Sequence, residues 1–215
     1  MNKFLMLLAV STLTLCVASA SQIPCTIAGT TFGDPVNGTT VVTCGTLTFD
    51  NFEVVNPTNG AEGQVDVLGT SYFDTGSGQA YVEFNPNLLS AQDEEFLFSV
   101  WGGTSEIDMT VGGQNAQIQE TACSAPVPTS GLGAGECPTG TLLGQITVGS
   151  NQAAGFANFN TTSPVYIFKN IETGAGGQLS EFTQSFGTIP EPVSMVLLGS
   201  GLLALGLLRR KSRKS

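Results

Sequence analysis

Apolar residues in this chain recur at every second position. Ile107-x-Met109-x-Val111 and Phe96-x-Phe98-x-Val100 alternate most cleanly. Leu47-x-Phe49, Val65-x-Val67, Ala80-x-Val82-x-Phe84, Ile146-x-Val148, Val165-x-Ile167 and Phe182-x-Gln184-x-Phe186 keep the same period. A period of two sends successive side chains to opposite faces of an extended backbone, so each run reads as a strand with one buried and one wet face. Turn residues punctuate the runs: Asn59-Gly60, Gly76-Ser77-Gly78, Gly102-Gly103, Gly112-Gly113, Gly149-Ser150-Asn151 and Gly174–Gly177. Short alternating strands at a spacing of about 10–15 residues predict an all-β fold, an antiparallel β-sandwich or jelly roll. Only Asn87–Phe96 (NLLSAQDEEF) has the composition to make a helical turn or two. The segment 21–189 is long enough to bury one core, and its many glycines follow no sustained period, which signals turns rather than a solenoid.

Charge narrows the function. The chain has 7 Lys and Arg against 17 Asp and Glu, and no histidine. Arg209, Arg210, Lys211, Arg213 and Lys214 crowd the C-terminus and Lys3 stands near the N-terminus, which leaves Lys169 as the single base between Ser21 and Ile189. A body this acidic repels nucleic acid and anionic lipid surfaces. The lack of histidine removes the commonest general base, the Ser-His and Cys-His pairs, and the commonest metal ligand. Protease, hydrolase and zinc-enzyme chemistry is therefore set aside, and a non-catalytic protein is expected.

Both ends read as addresses. Lys3 precedes an apolar run from Phe4 to Val17, and Ala18-Ser19-Ala20 supplies small residues for cleavage after Ala20. This is the layout of a secretory signal peptide over 1–20; an uncleaved anchor would want about 20 apolar residues. At the other end, Pro190-Glu191-Pro192 is followed by the apolar Val193–Leu208 and the tail RRKSRKS. The prolines interrupt regular structure and leave an extended, accessible peptide. The apolar segment can enter a bilayer, although Gly199, Gly201 and Gly206 loosen it. The basic cluster stays cytoplasmic by the positive-inside rule, so the body faces outward.

This ending closely resembles the PEP-CTERM protein-sorting signal, over residues 190–215. The resemblance implies a Gram-negative, exopolysaccharide-producing host and recognition of Pro190, Glu191 and Pro192 by exosortase, a membrane enzyme regarded as a cysteine-transpeptidase-like processor. The chain would leave the cytoplasm through the general secretion machinery and be held in the inner membrane transiently through 193–208. Arg209, Arg210, Lys211, Arg213 and Lys214 would act as the membrane stop. Cleavage near the motif would then deliver the body to the cell surface or extracellular matrix. The alternative is a single-pass anchor that is never cut.

Within the body 21–189, Cys25, Cys44, Cys123 and Cys137 form an even set in an exported chain, which predicts two disulfides. Four cysteines allow three connectivities; the local pairs Cys25–Cys44 and Cys123–Cys137 are favoured because each encloses a loop rich in Gly, Pro or Thr. Candidate chemistry is sparse. Asp93-Glu94-Glu95, with Glu106 and Asp108, is the densest acidic cluster; paired carboxylates across a cleft hydrolyse glycosides, but adjacent acids more commonly form a solvated face. Asp34, Asp50, Asn51, Asp74, Asn85 and Asn87 offer hard oxygen donors near turns, so calcium is the one cofactor considered, without an assignable ligand loop. Trp101, the only tryptophan, either plugs the core, the commoner fate, or stacks on a sugar from a rim. The expected role is an exported matrix or surface protein associated with exopolysaccharide. The alternative is a lectin-like carbohydrate-binding module.

Overall fold

The alternating runs become strands whose inward side chains are buried, as in Gln79–Asn85, where Ala80, Val82 and Phe84 are all 0% exposed. In the computed structural model, the described residues are 21–58, 63–128, 136–150, 152–162 and 164–188. The signal segment with Ala18 and Ala20, the Asn59-Gly60 turn and the sorting segment 190–215 lie outside them. Fourteen strands fall within the described residues. They are β1 (Gln22–Pro24), β2 (Thr26–Ala28), β3 (Val41–Cys44), β4 (Leu47–Thr58), β5 (Asp66–Val67), β6 (Tyr72–Asp74) and β7 (Gln79–Asn85), followed by β8 (Asp93–Trp101), β9 (Thr104–Val111), β10 (Gln114–Cys123), β11 (Leu142–Gly149), β12 (Ala154–Thr161), β13 (Val165–Gln178) and β14 (Phe182–Thr188).

Strands β7 to β14 pair as one long antiparallel hairpin. Its tip is β10 against β11, and moving outward β9 pairs β12, β8 pairs β13 and β7 pairs β14. Rolling that hairpin adds two further pairings, β14 with β9 and β13 with β10. Two sheets result, with the orders β7-β14-β9-β12 and β8-β13-β10-β11, which is a jelly-roll arrangement. The earlier strands widen one edge of each sheet: β6, β1 and β5 beside β7, and β4, β3 and β2 beyond β8. The fold is thus an all-β sandwich of two antiparallel sheets. We call them the β14 sheet and the β13 sheet.

Aromatic rings fill the space between them. Phe84 of the β14 sheet lies 5.3 Å from Phe96 and 5.5 Å from Phe98 of the β13 sheet, and Phe49 meets Phe186 edge-on at 5.0 Å. Phe49, Phe84, Phe96 and Phe186 are completely buried and Phe98 nearly so. Each such ring removes about 150–250 Å² from water, so this cluster dominates the burial that holds the sheets together.

Two local expectations fail. Asn87–Phe96 forms no helix: Leu88 bridges Leu179, Ser90-Ala91 make a turn, and Asp93–Phe96 are the start of β8. That strand is paired on both sides, by β4 and β13, and this ladder overrides the helical composition. Gly174–Gly177 do not end a strand either; they lie inside β13, where the pairing slips between Ala116↔Thr173 and Gln114↔Gln178 and forms a bulge. Gly76-Ser77-Gly78, Gly102-Gly103 and Gly112-Gly113 do separate strands, as expected. Gly45 occupies the two-residue turn between the paired Cys44 and Leu47 with φ 61°, and a Cβ there would meet the Phe73 ring at 2.6 Å.

The cysteines form the two local bridges, Cys25–Cys44 and Cys123–Cys137, with Cα separations of 4.5 and 5.6 Å. Two structural disulfides place the body in an oxidising, extracytoplasmic compartment.

Candidate functional site

The outer surface of the β13 sheet carries the most developed site. It is built around a bulge in β4. Asp50 pairs with Ser99 and Glu53 with Leu97, so three residues of β4 span two of β8, and the extra one is accommodated by Asn51 at φ 55°. Phe52 still points into the core, while Asp50, Asn51 and Glu53 remain toward solvent. Asn is among the few side chains that tolerate this left-handed conformation readily.

Trp101 stands at the end of β8 on the same face as Ser99 and Leu97. It is 41% exposed, which corrects the expectation that a lone tryptophan plugs the core. The reason is its register: the inward positions of β8 are taken by Phe96, Phe98 and Val100, leaving Trp101 on the outer face. Its indole N–H donates to Asp50 Oδ1 at 2.8 Å. Asn51 Nδ2–H donates to the same oxygen at 2.8 Å and to Ser99 Oγ at 3.1 Å. The ring is thereby fixed in orientation while one large surface of it stays wet.

Beside this cluster is a cleft of about 350 Å³, lined by Asn51, Glu53, Ser99, Pro126, Val127 and Tyr166 among others. Its wall comes from the chain just after Cys123, where Val127 packs on Leu97 and Phe168 in a small apolar cluster outside the main core. Polar oxygens, a fixed amide and two partly exposed aromatic rings therefore share one surface. Such a mixture suits a polyol that offers hydroxyls and an apolar ring face. At the opposite end of β13 a second depression, about 470 Å³, is lined by Asn115, Gln117, Thr147, Ser150 and Glu172 and carries no aromatic ring.

The remaining candidates are dispersed. Asp93, Glu94 and Glu95 lie on β8, whereas Glu106 and Asp108 point outward from β9 in the other sheet, so sequence proximity does not produce a carboxylate pair. The expected solvated face also fails at Glu94, which is fully buried on the inward side of β8. Burial raises the Asp93 carboxyl above its ordinary range, with a hydrogen bond from Glu94 N–H opposing it. The candidate calcium donors serve their own turns. Asp34 accepts from Thr31 Oγ1–H, Asp74 accepts from Gly76 N–H and Ser77 Oγ–H, and Asn85 Oδ1 accepts from Asn87 N–H. The bonds to Gly76 and Ser77 hold the Asp74 carboxyl below the usual range. Among the described residues no group of three or more His, Cys, Asp or Glu is placed to hold a metal ion.

The chain matches no protein-family model and no curated protein sequence.

Proposed function

We propose that this chain is an exported, non-catalytic surface or extracellular-matrix protein, sorted through its PEP-CTERM-like ending, whose sandwich associates with exopolysaccharide through the outer surface of the β13 sheet. The observation that carries the binding surface is the exposed Trp101 ring, held by Asp50 beside the Asn51, Glu53 and Tyr166 cleft. An orientation fixed in advance lowers the entropy lost when a sugar ring stacks on the indole. The acidic body keeps its charge hydrated within a polysaccharide matrix, and the two disulfides suit it to that oxidising setting.

Trp101 is also the only tryptophan, so its emission reports on this surface alone. Titration with exopolysaccharide purified from the host should shift that emission to the blue and protect it from acrylamide quenching. Unchanged emission and quenching across the titration would remove the Trp101 surface as the point of contact. A pure matrix role, in which the body binds by charge and bulk alone, would then be left.

A further inference from the structure

The single base of the body is not at its surface. Lys169 is fully buried between the two sheets. Directly opposite it on β10 is Glu120, and Gln184 enters from β14 in the other sheet; both are also fully buried. Lys169 Nζ donates to Glu120 Oε2 and to Gln184 Oε1, and Gln184 Nε2–H donates to Glu120 Oε1 at 3.2 Å. Amine, carboxyl and primary amide thus close a three-membered ring of contacts. Met109 Sδ at 3.4 Å and the rings of Phe182 and Phe98, with centroids at 5.1 and 5.9 Å, wall it from water.

As an ion pair this arrangement is a poor stabiliser, because desolvating both charges offsets their attraction and an apolar filling would serve as well. As a reacting set it is well composed. Burial pushes the Lys169 ammonium down and the Glu120 carboxyl up, against the pull of their contact with each other. The uncharged forms so favoured are a nucleophilic amine and a proton-donating acid, both in reach of one amide. Holding them together in a dry core supplies the high effective concentration that amide exchange needs.

We propose that Lys169 and Gln184 become joined by an intramolecular isopeptide bond, with Glu120 carrying the proton. The Lys169 Nζ lone pair attacks Gln184 Cδ, and the carbonyl electrons move to Oε1, which Glu120 protonates. The tetrahedral centre then collapses as the Cδ–Nε2 bond breaks. Glu120, now a carboxylate, takes the proton from Nζ and passes it to Nε2, which leaves as ammonia. The Oε1 proton returns to Glu120 as the carbonyl re-forms, so the carboxyl regains its starting form. One C–N bond forms and one breaks, with no change of oxidation state and no co-reactant. The product ties β13 to β14 across the sandwich. β14 is the last described strand before the segment 190–215, so a body tethered by that end would be pulled through a strand that is covalently held.

The test is peptide mapping of the exported protein, reduced and cut with glutamyl endopeptidase. Lys169 falls in the peptide Cys137–Glu172, and Gln184 falls in the peptide that begins at Phe182. The expected result is one branched species containing both peptides, lighter than their sum by one ammonia, with the intact protein lighter by the same amount. Two separate linear peptides of unaltered mass would overturn the proposal. So would a branch joining Lys169 to Glu120 with loss of water. In Glu120→Gln the two peptides should be recovered unlinked; a full yield of the branch in that variant would overturn the role of Glu120. The mapping of the unmutated protein decides the bond even if that variant does not fold.

Discussion

The two disulfide-closed segments are similar in length and differ in the fold. Their cysteines are 19 and 14 residues apart, so the chain-entropy contribution of each bridge is nearly the same, about 3 kcal/mol. Cys25, however, sits where the chain crosses from β1 in one sheet to β2 in the other, and both it and Cys44 belong to the main core. Cys123 lies on the outer surface of the β13 sheet, where its bridge packs with Val127, Leu97 and Phe168 in a separate cluster. The first bridge fastens the two sheets at an edge. The second holds down the segment that walls the candidate cleft. Similar spacing has therefore served cohesion in one place and surface construction in the other.

That contrast can be broken by mutation. The largest effect is expected from replacing Cys25 and Cys44 together by serine, with a loss of about 4 kcal/mol measured by denaturant unfolding, because core polarity adds to the entropy effect. Replacing Cys123 and Cys137 should cost less, about 2–3 kcal/mol, but should abolish the response of Trp101 emission to exopolysaccharide. Equal stability losses with equal retention of binding would erase the distinction. Trp101→Ala should sharpen it further: unfolding free energy changes by less than about 1 kcal/mol, as for a partly exposed ring, while retention of the protein on immobilised exopolysaccharide is lost.

The smallest expected effect concerns Asp93. Its folded carboxyl is raised by burial, so the native state binds the proton more tightly than the unfolded chain does. Stability from this group is greatest below its unfolded value of 3.8 and falls as pH rises through the folded value. Asp93→Asn should accordingly raise the melting temperature slightly at pH 7 and leave it unchanged well below pH 3.8. A uniform shift at both pH values would mean that a packing change, rather than ionisation, is responsible.

Much of the sandwich was legible because most inward residues of β7, β8, β9 and β14 are large and apolar, with Ala80, Glu94 and Gln184 among the exceptions. β10 and β12 were not. The inward positions of β10 are Ala116, Ile118, Glu120 and Ala122, and those of β12 include Gly155 and Ala157, so small or polar residues hide the period. The buried set was half visible: Val165-x-Ile167 extends through Lys169 to Ile171, and Gln184 stands between Phe182 and Phe186, which places both side chains inside. What joins them is the packing of one sheet on the other, a relation no local pattern contains. Trp101 was legible as a candidate, and its outward side follows from the Phe96, Phe98 and Val100 alternation, but the β4 bulge and the Asp50 bond that hold its ring are tertiary. The disulfide loops were readable because a cysteine pair and the loop it closes are neighbours in sequence.

The central claim is that this chain is delivered to the cell surface as a sandwich freed from both of its ends. Its most direct test is the intact mass, with terminal peptide mapping, of protein recovered from the host's outer surface. The account predicts a chain beginning at Ser21 and ending near Pro190–Pro192, with both disulfides formed and any surface attachment appearing as added mass at the new C-terminus. Recovery of a chain that still runs through Ser215 would contradict it, and would make the protein a membrane-held surface domain instead.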